Sequence, residues 1–99
     1  MLDPRFAPYQ VELDDKAIDD LSKLTQVETE HLGISIRRMA ETGTGSIERM
    51  QGYYLMRLKP PPFRVVFSII GRLITVVLID SRDQVYSKRN LTRLKPYRK

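Results

Sequence analysis

Four side chains in the second half of this chain have the type and spacing to grip a phosphodiester: Arg57, Arg64, Arg82 and Tyr86. Arginine is a permanent cation whose planar fork matches phosphate oxygens. Arg64 lies inside the strand-like run "FRVVFSII" (63–70). Strand alternation puts Phe63, Val65, Phe67 and Ile69 on one face, with Arg64, Val66, Ser68 and Ile70 on the other. The apolar face packs on the protein's helices, which leaves Arg64 on an opposite, partly polar face. In "YYLMRLK" (53–59) the same alternation groups Leu55, Arg57 and Lys59. If the turn at Pro60-Pro61 pairs Lys59 with Pro62, Arg57 falls directly across from Arg64. Like charges in that position cost up to about 1 kcal/mol unless an anion lies between them. Acidic side chains are scarce in this half, so the pair looks arranged for phosphate. Arg82 and Tyr86, in "SRDQVYS", follow the last strand, and a short irregular return can bring both over the same face. The plainer alternative is that Arg64 pairs with a carboxylate, Arg57 snorkels at an edge and Tyr86 is a packed aromatic.

The elements that must position these groups follow from periodicity. "YQVELD" alternates and reads as a short first strand at an edge. Asp14 or Asp15 offers a helix N-cap, and Ala17, Ile18, Leu21 and Leu24 follow at helical spacing. A second helix is expected from near Thr25 to about Glu41, with Leu32, Ile36 and Met39 on its apolar face; Gly33 weakens it by about 1 kcal/mol. "ETGTGS" stops it. From Met50 onward the period becomes that of strands: "YYLMRL", "FRVVFSII" and "LITVVLI", with Gly71-Arg72 as a tight turn between the last two. "LITVVLI" lacks polar alternation beyond Thr75 and is expected to be covered on both faces. The fold class is α+β: an N-terminal strand, two helices, then an antiparallel meander of three or more strands, with the helices on one face.

Length and composition bound the rest. Ninety-nine residues make one domain over 1–99, with a basic tail at about 88–99, and 41% hydrophobic and 29% charged residues suit an ordinary globular protein. There are no cysteines, so neither disulfides nor thiolate chemistry contribute. The longest uncharged runs, among them 65–71 and 73–79, are far short of the ~20 residues a membrane span needs. A cytoplasmic protein is expected. Residues 1–48 carry ten acidic against five basic side chains, whereas residues 49–99 carry two acidic against twelve basic. The segregated basic half points to a polyanionic partner, or else to a solvated basic face.

The order strand–helix–helix–strands, with "GYYLMRLK", then "FRVVFSI", then "SRDQVYS", resembles the RelE/ParE superfamily of bacterial type II toxins over about residues 9–87. The resemblance implies a ribosome-dependent endoribonuclease that cuts mRNA without a metal or other cofactor, the ribose 2′-OH attacking the adjacent phosphate. On that basis Arg64 stabilises charge on the scissile phosphate, with Arg57 and Arg82 as further clamps. Tyr86 orients a nucleotide or transfers a proton. Lys59, with Lys88 and Arg89, holds the RNA backbone. The partners implied are mRNA on the ribosome and a cognate antitoxin whose acidic segment suits the basic half. Neither a membrane nor a small-molecule cofactor is expected. The sequence departs from the family pattern in three places. Leu55 stands where some members carry a basic residue, "KPPPF" replaces the usual loop, and no histidine or glutamate is placed as a base, His31 lying on the second helix. The superfamily also contains ParE-like inhibitors of DNA gyrase, and an inert basic interaction module has the same charge pattern.

Overall fold

Two caps fix where the helices begin. The chain is described by a computed structural model over residues 2–50, 52–58 and 63–81. Asp14 caps helix α1 (Asp15–Ser22), its Oδ1 accepting the Ala17 N–H at 2.8 Å. Helix α2 (Gln26–Thr42) opens on a reciprocal capping box. The Glu28 N–H donates to Thr25 Oγ1 at 3.1 Å, and the Thr25 N–H donates to Glu28 Oε1 at 2.9 Å. Both caps satisfy N–H groups that a helix start leaves unpaired. Helix α2 stops at Gly43, which adopts φ 75°, and a Cβ there would meet the Leu2 carbonyl oxygen at 3.1 Å. Both the left-handed backbone and the close approach require glycine.

Among the described residues one sheet is formed by β1 (Gln10–Leu13), β2 (Ser46–Met50), β3 (Tyr53–Arg57), β4 (Phe63–Ile70) and β5 (Leu73–Ser81), in the order β1-β5-β4-β3-β2. Strands β2 to β5 form an antiparallel meander, and β1 joins the edge parallel to β5. The expected α+β order is therefore present, with two additions. The meander begins earlier than the strand-like sequence suggests, because "SIERM" pairs as β2, and the sheet is mixed rather than purely antiparallel. Gly71, at φ 60°, makes the two-residue turn between Ile70 and Leu73. Strand β5 is an interior strand whose residues 76–79 are buried, as its unbroken apolar run requires.

The main core lies on the helical face. Leu32, Ile36 and Met39 of α2 join Phe63, Val65 and Phe67 of β4 and Ile74, Val76 and Ile79 of β5. A second cluster on the opposite face comprises Tyr53, Leu55, Val66, Val77 and Leu78. A bulge explains how adjacent residues of β5 reach that second cluster. Val66 pairs with Leu78 but Phe67 pairs with Val76, leaving Val77 as the extra residue. The bulge reverses the alternation of β5, so Ile79 returns to the helical core and Asp80 turns to the face of Arg64. Without it Asp80 would point into the main core.

Helix α1 also completes the sheet. Strand β1 ends at Leu13, opposite Val76, and beyond that point no strand among the described residues pairs with the outer edge of β5. The Asp14 N–H still donates to the Val76 carbonyl, at 3.0 Å. Three residues further on, the Ile79 N–H donates to Asp20 Oδ2 at 2.9 Å. A carboxylate thus accepts where a strand carbonyl otherwise would, as a part-buried N–H demands. Asp20→Ala should destabilise the fold by about 1.5–3 kcal/mol in urea unfolding, the usual worth of a hydrogen bond to a charged group. Asp20→Asn, which keeps an acceptor, should recover part of that loss.

Candidate functional site

The face of the sheet away from the helices carries the site residues that the structure describes. Arg57 and Arg64 are direct cross-strand partners on β3 and β4, which places their side chains on one face with Cα atoms about 4.5–5.5 Å apart. The row continues on both sides: Ser46 of β2 stands opposite Arg57, and Asp80 of β5 stands opposite Arg64. The register expected from the prolines and strand alternation is the one observed. Lys59, Arg82, Tyr86, Lys88 and Arg89 lie outside the described residues, as does most of "KPPPF".

Two expectations about this face need correction. The first is that acidic partners for the arginines are scarce. Glu48, on the strand that sequence reading missed, pairs with Arg57: its Oε1 and Oε2 accept from Arg57 Nη2 at 2.8 and 3.0 Å. Glu48 is two residues beyond Ser46, the diagonal position that long side chains bridge across an antiparallel pair. Alternation within "SIERM" is the signal that could have found it, but five residues after a glycine-rich loop are weak grounds for a strand. With its side chains 40% and 41% exposed, the pair contributes at most ~1 kcal/mol to stability.

The second correction concerns exposure. Arg64 was expected on an open, partly polar face, yet it is only 8% exposed, and Leu55 and Val66 on the same face are fully buried. Among the described residues no hydrogen bond or ion pair reaches its guanidinium; Asp80 is its neighbour in register. A cation withdrawn from water exerts a field far stronger than one at a solvated surface, because little solvent screens it. Arg57 is the exposed member of the pair and Arg64 the desolvated one.

Not every cation of the basic half joins this face. Arg49 lies on the helical side, where it donates to the Tyr54 hydroxyl at 3.3 Å and sits 5.5 Å from the ring centroid; Tyr54 in turn stacks on Phe67. His31 is exposed on α2, remote from the row. Among the described residues no group of three or more metal-ligating side chains occurs, and no helix is long and apolar enough to cross a membrane. Helix α2 and β1 also border an apolar groove of about 440 Å³, lined by Val11, Leu13, Leu32 and Ile36 and rimmed by Arg37 and Glu41.

Burying Arg64 without a close partner among the described residues costs stability, so replacing it should not. Arg64→Leu is expected to unfold at the same denaturant concentration as the parent protein or at a higher one. A loss beyond ~2 kcal/mol would mean that the guanidinium has a structural role.

No family model matches the chain, and no curated protein matches it. Solved structures do. A free-state variant of the Escherichia coli toxin RelE aligns with a TM-score of 0.71 and 16% identity, covering 91% of this chain and 97% of that one. The toxin–antitoxin complex RelBE of Mycobacterium tuberculosis gives 0.70 and 17%, covering 81% and 98%. An archaeal RelE–RelB complex from Pyrococcus horikoshii gives 0.65 and 15%, covering 78% and 98%. The helices, the mixed sheet and their connections are shared along almost the whole of each of these chains: this protein has the fold of the RelE toxins.

Proposed function

We propose that this protein is the toxin of a type II toxin–antitoxin system and acts as a ribosome-dependent, metal-independent endoribonuclease on mRNA. The observation that carries the reading is the register of Arg57 against Arg64, which sets an exposed guanidinium and a desolvated one side by side on the same face. Its physical logic is electrostatic. In-line attack of a ribose 2′-oxygen on the adjacent phosphorus concentrates negative charge on the phosphoryl oxygens. Cations already held in place stabilise that state more than the ground state.

In this reading Arg57 captures the phosphate and Arg64 stabilises the charge that builds on it. Glu48 accepts the 2′-OH proton, the 2′-oxygen bonds to phosphorus, and the bond from phosphorus to the 5′-oxygen breaks. The departing 5′-oxygen takes up a proton, for which Tyr86 is the candidate donor. The products are a 2′,3′-cyclic phosphate and a 5′-hydroxyl. Arg82 is a further clamp, and Lys59, Lys88 and Arg89 hold the RNA backbone. The protein acts in the cytoplasm. Its partner is a cognate antitoxin whose acidic segment covers the basic half, a reading supported by neighbours solved as RelE–RelB complexes.

Tightly controlled expression followed by primer extension on a translated message tests this reading. Codon-phased cuts are expected with the parent sequence, reduced at least ~10²-fold in Arg64→Ala, the scale on which a charge-stabilising donor acts. Growth arrest with intact mRNA and accumulating DNA breaks would instead identify a gyrase inhibitor, and no arrest an inert binding module.

A further inference from the structure

We propose that Glu48 is an internal substitute for the substrate phosphate: it occupies Arg57 in the free protein and is displaced when a phosphodiester arrives. This rests on the reading of the Arg57–Arg64 pair as a phosphate site, and adds a built-in competitor to it.

The geometry supplies the argument. Arg57 faces a second guanidinium directly across the strand pair, an arrangement that favours any anion able to approach it. Glu48 is the anion that does so, both its carboxylate oxygens accepting from Arg57 Nη2 and holding negative charge where a phosphate oxygen would otherwise sit. Both partners are about two-fifths exposed, so RNA can reach the pair without unfolding the sheet. A half-solvated ion pair is weak, and a polyanion can therefore open it. Opening also frees the carboxylate, so the arrival of RNA releases the group that accepts the 2′-OH proton in the same movement.

The consequence is an effect of opposite sign on binding and on turnover. Affinity is read by fluorescence anisotropy of the isolated protein with a short single-stranded RNA, 2′-O-methylated so that it cannot be cleaved, at fixed low salt. Glu48→Gln should lower Kd two- to fivefold while reducing the turnover of translated message. Arg57→Gln should raise Kd. Adding Glu48→Gln to Arg57→Gln should then change Kd no further, because nothing remains to be unlocked. Glu41→Gln, the same charge change on α2, serves as the control for overall charge and should leave Kd within experimental scatter. The competitor is disproved if Glu48→Gln leaves Kd unchanged, or tightens binding equally with and without Arg57. If Arg57→Gln itself fails to weaken binding, the phosphate site falls as well. Thermal unfolding of each variant separates these outcomes from loss of structure.

Discussion

The register between β3 and β4 is the constraint on which the rest of this face depends. Shifting it by one residue would turn every side chain of one strand to the other side of the sheet, separating Arg57 from Arg64 and sending an arginine toward the helical core. What holds the register is apolar. Met56 and Val65 pair within the main core, Leu55 and Val66 pair within the second cluster, and Tyr54 stacks on its partner Phe67. Hydrophobic pairs on both faces of the two strands make a one-residue slip costly. The cost of two facing guanidinium groups, up to about 1 kcal/mol, is small beside the burial that fixes them.

Strand β5 contributes in a different way. Its bulge at Val77 turns Asp80 onto the arginine face, so the row across the sheet becomes serine, arginine, arginine, aspartate, with Glu48 beside it. A bulge disturbs the ladder, and here the disturbance falls just beyond the end of β1. Asp20 of α1 accepts the Ile79 N–H close by. Helix α1 therefore steadies the segment whose charged residue faces Arg64.

Arg57 and Arg64 divide the electrostatic work unevenly. The exposed guanidinium is already neutralised by a nearby carboxylate, while the buried one has no ion pair among the described residues. A chain optimised for stability alone would place an apolar residue at position 64, since Val66 and Leu55 on the same face are fully buried. Retaining a desolvated cation there is the kind of local conflict that marks a functional position. It gives the phosphate-binding reading more support than the surplus of basic residues does, because Arg49 shows that a cation of the same half can serve a purely structural contact on the other side.

Much of this was legible along the chain. Thr25 with Glu28, the stop at Gly43 and the turn at Gly71 are local features, and each acts through its own backbone neighbourhood. The facing arginines were also within reach, because alternation and a short connection bring Arg57 and Arg64 together. Three things were not legible. Glu48 lies in a strand too short and too close to a glycine-rich loop to declare itself, and it meets Arg57 only through pairing across the sheet. Asp80 would face inward by simple alternation; only the bulge in the β4–β5 ladder reverses it. The burial of Arg64 depends on what packs around it, which a pattern of period two does not record. Local sequence determined which residues form each element and which share a face, because those follow from backbone geometry. Tertiary structure decided which charges meet and how much water reaches them, because both depend on partners distant in the chain.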